Sequence, residues 1–165
     1  MPVSRESASG NKKLIEDACG STLFSGVNWL GDSVMTMPAI QEFKRRHPAC
    51  LTAMLSKPSL TALWKMNPNI DMVIELHPGT TGVIRAAMAV KQAGFERAYV
   101  LTQSFRSALV PFLARIPSRT GMPGHHRDWM LTAVIRPVET ETRRHQMFEY
   151  FDLLGIDNTA TPDTH

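Results

Sequence analysis

Ser25-Gly26-Val27-Asn28-Trp29-Leu30-Gly31-Asp32-Ser33-Val34-Met35-Thr36-Met37-Pro38 is the stretch on which the fold turns. It follows a short apolar run, Thr22-Leu23-Phe24, and leads into a helix-like pattern that continues to Arg46. The order is a strand, a glycine-bearing turn and a helix start, with one carboxylate, Asp32, at the junction. Gly31 offers backbone angles closed to other residues, and Asp32 can cap the first turn by accepting backbone N–H bonds. In an α/β unit this place lies beyond the carboxyl end of a strand, where ligands bind.

Two phosphate-loop patterns can be tested against this turn. Gly26, Gly31 and Ser33 nearly fit G-x-x-x-x-G-K-[ST], but Asp32 stands where the lysine belongs and would repel a phosphate. The G-x-G-x-x-G fingerprint fails because position 28 is Asn. An acidic pair at the end of the first strand is absent as well. A lone carboxylate in a tight turn suits a general base or a plain helix cap, and the residues leave both open.

Outward from the turn the chain alternates strands and helices. Strands are expected at 21–27, 50–55, 72–76, 97–101 and 118–121, with a sixth at 133–138. Helices are expected at 32–46, 58–66, 81–92, 104–114 and 143–154. The first would bury Val34, Met37, Ile40 and Phe43, with Pro38 in its early turns where a missing N–H costs least. The last would bury Met147, Phe148, Phe151 and Leu154. Gly94 and Gly155 stand where helix C-caps belong. Repeated β–α units imply an α/β fold, a Rossmann-like parallel sheet with helices on both faces.

Composition sets the outer bounds. A chain of 165 residues with 43% hydrophobic and 20% charged side chains fits one globular domain. A formal net charge of +3 is too mild to imply nucleic acid. Cys19 and Cys50 are too few and too isolated for a disulfide scaffold or a zinc site, which fits a reducing cytosol. No run approaches the ~20 apolar residues of a membrane span. Residues 1–20 are polar and read as a loose extension, and 157–165 as a polar tail or interdomain linker.

Arginines dominate the charge of the second half. Arg106 opens a helix and Arg119 lies near a strand end, both at the expected ligand edge, where guanidinium suits phosphate or carboxylate. Trp29 could stack on a sugar or plug the sheet end. Adjacent His125 and His126 cannot share a metal as i, i+4 histidines do. Lys44-Arg45-Arg46 close a helix, favourably for its dipole, and could also meet an anionic membrane surface.

Three blocks resemble a known family: Gly26 to Asp32 with Met35 to Ala39, Arg97 to Phe112, and Ile116 to Gly121. They are similar, in order and spacing, to the ADP-heptose:lipopolysaccharide heptosyltransferases, in particular the heptosyltransferase II branch. Gln103 and Thr102 depart from the Asn and Pro of that pattern. The resemblance implies that 21–156 is the N-terminal, acceptor-side half of a two-domain GT-B fold. It implies inverting transfer of heptose from ADP-heptose to the lipopolysaccharide inner core at the cytoplasmic face of the inner membrane. Neither metal nor cofactor is implied, and the nucleotide sugar would sit in an absent C-terminal domain, leaving this half inactive alone. Asp32 would be the catalytic base. Trp29, Gly31, Ser104, Arg106, Arg119 and Thr120 would hold the acceptor. The competing expectation is a non-catalytic module that binds an anionic glycolipid or a partner subunit.

Overall fold

A computed structural model describes residues 20–26, 28–136 and 146–156. Residues 1–19 of the extension expected at 1–20, the tail at 157–165 and the start of the last helix at 143–145 lie outside them. The strands are β1 (Ser21–Ser25), β2 (Leu51–Ser56), β3 (Met72–Glu75), β4 (Arg97–Val100), β5 (Ser118–Gly121) and β6 (Ala133–Val134). The helices are α1 (Leu30–Arg46), α2 (Thr61–Lys65), α3 (Gly79–Ala93), α4 (Phe105–Leu113) and α5 (Gln146–Leu153). A 3-10 turn, Pro58–Leu60, precedes α2.

All strand pairs are parallel, in the order β3-β2-β1-β4-β5-β6. Strand order reverses between β1 and β4, the switch point at which open α/β sheets bind ligands. Alternation along the central strands feeds two cores. Phe24, Met54 and Tyr99 face α1, α2 and α5, whereas Leu23, Ala53 and Ala98 face α3 and α4. On the first face Phe24 meets Phe43 edge-on at 5.4 Å and stacks on Tyr99 at 6.0 Å. Such pairs add about 0.5–1.5 kcal/mol each beyond the area they bury. On the second face the small residues Ala86, Ala87 and Ala114 let the helices lie close to the sheet.

Several expectations about α1 are corrected. The helix starts at Leu30, so its core face is Ser33, Thr36, Ala39, Ile40 and Phe43, while Val34 is 52% exposed. Pro38 therefore sits well inside the helix and removes one ladder donor. Ser33 and Thr36 turn their hydroxyls back onto the carbonyls of Trp29 and Ser33, at 2.9 and 2.7 Å, which lets polar side chains be buried there. In α5 the fully packed residues are Tyr150 and Leu153, with Leu154 just beyond its end. Met147, Phe148 and Phe151 are half-buried. Cys50 is buried and disulfide-bonded, not an isolated thiol.

Candidate functional site

Four loops meet at the carboxyl edge of the sheet and enclose a cavity of about 610 Å³. The β1–α1 turn contributes Gly26 and Asn28, and the segment after β2 contributes Lys57, Pro58 and Ser59. Leu76 and Pro78 come from the β3–α3 loop, and Ser104, Arg106 and Ser107 from the start of α4.

Glycine is required at two points in these walls. Gly26 has φ +62°, and a Cβ there would stand 3.3 Å from the Ser107 Cβ. At Gly82, in the first turns of α3, a Cβ would fall 2.0 Å from the His77 carbonyl oxygen. That close approach lets the β3–α3 loop fold down over its helix. Gly31, by contrast, is helical and has open space around it. The special backbone angle lies at Gly26, not at Gly31 as the sequence suggested.

Hydroxyl groups fix the floor beneath α4. Ser104 is the N-cap and its Oγ accepts the Ser107 N–H at 3.2 Å. Thr102 Oγ1 donates to Ser107 Oγ at 2.8 Å, and Ser25 Oγ donates to the Ser107 carbonyl at 2.6 Å. Arg106 reaches the other way. Its Nη2 donates to the carbonyls of His77 and Gly79, the latter at 3.0 Å, so one cation both pins the β3–α3 loop and lines the cavity.

Trp29 does not plug the sheet end. It holds the N-cap position of α1 with an extended backbone, is 72% exposed, and carries Lys57 Nζ 5.6 Å from its ring centroid. That cation–π contact gathers an aromatic face and a positive charge at the rim of the cavity. Asp32 lies in the first turn of α1, where negative charge complements the helix dipole, but it is not the cap. It is half-buried and accepts no hydrogen bond from a described residue. Burial pushes the Tyr150 phenol up to about 12, and the Asp32 charge adds to that rise, so α5 brings a neutral phenol into the field of this carboxylate.

Arg119 and Thr120 stand apart, contrary to expectation. Arg119 is level with Ala98 and Leu23, low in its strand, and turns away from the carboxyl edge. Its Nε donates to Met130 O at 2.6 Å and its Nη1 to Ile116 O at 2.5 Å, while the guanidinium covers the Phe112 ring. Thr120 is half-buried within β5, opposite Tyr99. His125 and His126 are exposed.

Lys57, Asn28 and Ser107 line the cavity without being expected there from the sequence. Lys57 was within reach, since it follows a strand directly and strand ends are where ligands bind. Arg127 gave no signal at all. It is fully buried and donates to the carbonyls of Thr102, Ser104 (3.1 Å) and Met122 (2.6 Å), bracing two loops of the edge. Its Nε has no hydrogen-bond partner among the described residues, and burial lowers the pKa of the guanidinium.

A parallel sheet with its switch point at β1 and β4, and above it a largely apolar cavity with a few convergent polar groups, defines a Rossmann-like ligand-binding domain. Residues 83–158 match the model of glycosyltransferase family 9 (heptosyltransferase). Lipopolysaccharide heptosyltransferase 2 of Escherichia coli is 32% identical over 117 residues, 68% of this chain and 34% of that protein. Its Salmonella typhimurium counterpart is 30% identical over 114 residues, 66% and 33% respectively. The solved structure of E. coli ADP-heptose lipopolysaccharide heptosyltransferase II superposes with a TM-score of 0.71 at 27% identity, covering 84% of this chain and 41% of that one. A family 9 structure from Veillonella parvula, at 21% identity, shares the fold with a TM-score of 0.73. The chain belongs to glycosyltransferase family 9, the heptosyltransferases. It spans about a third of the length of the curated relatives it matches.

Proposed function

We propose that this domain forms the acceptor side of an enzyme that transfers heptose from ADP-heptose to the lipopolysaccharide inner core on the cytoplasmic side of the inner membrane. Lys57 and Arg106 would meet a phosphorylated core sugar with charge-assisted hydrogen bonds, and Trp29 would stack on a sugar face. Asp32 takes the proton of the acceptor hydroxyl as that oxygen attacks the anomeric carbon from the side opposite ADP. The bond from the anomeric carbon to the diphosphate oxygen breaks, ADP leaves with the electron pair, and the configuration inverts. No metal is needed in this scheme. The nucleotide sugar would be held by a second domain, so the chain alone is expected to be inactive.

One observation supports this reading above the rest: Lys57, Arg106 and the α4 hydroxyls converge on a cavity beside the turn that carries Asp32, a carboxylate that accepts no hydrogen bond from a described residue. The test joins this chain to a family nucleotide-sugar domain and compares the parent with Asp32→Asn. Loss of a general base lowers turnover by about 100-fold or more, with the acceptor KM little changed. Unchanged turnover would remove Asp32 from the chemistry.

A further inference from the structure

We infer that the outer face of α3 and α4 is a docking surface for an anionic lipid bilayer. On α4, Phe105, Leu109 and Leu113 recur at i, i+4 and i+8 and so share one stripe; Phe105 and Leu113 are 46% and 44% exposed. On the neighbouring α3, Ile84 and Met88 are 50% and 59% exposed, again four residues apart. Ile84, Phe105, Leu109 and Leu113 line an apolar groove of about 430 Å³ between the helices. Contiguous exposed apolar surface of this kind marks an interaction site.

Charge identifies the occupant. Neither helix contains an aspartate or glutamate. Arg85, Lys91 and Arg106 lie on them and Arg115 follows, and among the described residues none of these four has a carboxylate partner. The contrast with α1 is direct. Lys44 pairs there with Asp71 at 2.7 Å, and Arg45 and Arg46 share Glu42 at 2.7 and 2.8 Å, so each cation of that basic run has a carboxylate partner.

A second copy of this basic face would meet like charge, and a nucleic acid has no use for an aliphatic stripe. An anionic bilayer satisfies both halves of the pattern. Aliphatic side chains enter the acyl boundary while the arginine and lysine heads reach back to the phosphates. Arg106 borders both this groove and the cavity, which sets the mouth of the cavity beside the bound surface.

The experiment is co-sedimentation of the chain with vesicles of phosphatidylethanolamine and phosphatidylglycerol, against phosphatidylcholine alone, with no sugar ligand present. Binding is expected only to the anionic vesicles, weakening at high salt. Ile84→Glu and Leu113→Glu should each cut partitioning at least tenfold, and Ile84→Ser several-fold, with thermal melts showing that each variant is folded. No binding to anionic vesicles would overturn the inference, as would equal binding by folded variants. A concentration-dependent dimer abolished by the same substitutions would give the face to a second copy instead. Because no acceptor is present, either failure leaves the glycosyl-transfer reading untouched.

Discussion

Arg106 opens a helix and Arg119 lies in a strand, and the sequence places both at the ligand edge of the sheet. Arg106 spends one nitrogen on the His77 and Gly79 carbonyls and presents the rest of its guanidinium to the cavity at the carboxyl edge. Arg119 points to the amino-terminal side, where Met130 and Ile116 carbonyls and the Phe112 ring engage it. The two regions show that residue type near a strand end says little until the direction of the side chain is known. At the carboxyl edge donors are held in place and left available; at the other end they are used up in holding a loop.

The largest effect that sharpens this contrast concerns Arg127, which belongs to the carboxyl edge but serves it from beneath. Arg127→Ala leaves the Thr102, Ser104 and Met122 carbonyls without their donor. The expected loss is about 2–4 kcal/mol in urea unfolding, because buried acceptors left unsatisfied are costly. A folded variant of unchanged midpoint would show that the brace is dispensable.

Next come the two kinds of surface cation. Lys57→Ala should weaken acceptor binding about tenfold, the loss of one charge-assisted contact, with an unaltered melting temperature. Arg119→Ala should do the reverse, keeping affinity and losing about 1–2 kcal/mol of stability through its two carbonyl bonds. If Arg119→Ala impairs binding and Lys57→Ala does not, the two ends have been assigned the wrong way round.

The smallest effect is electrostatic. Hydrogen bonds from Arg45, then Arg46, hold the Glu42 carboxyl at about 2, down from an ordinary 4.5. A depressed carboxylate contributes stability that is whole above its unfolded pKa and is lost as pH falls through the folded one. The contribution should therefore be intact at pH 5 and gone near pH 2. At the surface it amounts to less than about 1 kcal/mol. Glu42→Gln should flatten that part of the acid limb in a pH series of unfolding curves.

Much of the fold was legible because the apolar runs of β1, β2 and β4 and the glycine beyond α3 are strong local signals. The parallel sheet with helices on both faces followed from their alternation. What escaped depended on tertiary direction. The burial of α1 was misjudged because Ser33 and Thr36 hide their hydroxyls against the helix backbone, so polar residues face the core while Val34 does not. The turn was found, but its strained glycine is Gly26, because the helix begins before Gly31. Of the residues expected to hold an acceptor, Ser104 and Arg106 line the cavity and Trp29 meets Lys57 at its rim. Arg127 escaped because a buried cation whose partners are all carbonyls leaves no pattern in composition or spacing.

Side-by-side calorimetric titration of the chain with a phosphorylated inner-core oligosaccharide and with ADP-heptose tests the assignment of the cavity most directly. Saturable heat from the oligosaccharide and none from ADP-heptose is expected, since the cavity offers Lys57 and Arg106 to an anionic sugar, with Trp29 beside Lys57 at its rim. Saturable heat from ADP-heptose, with none from the oligosaccharide, would contradict it and would take from Asp32 the role of base.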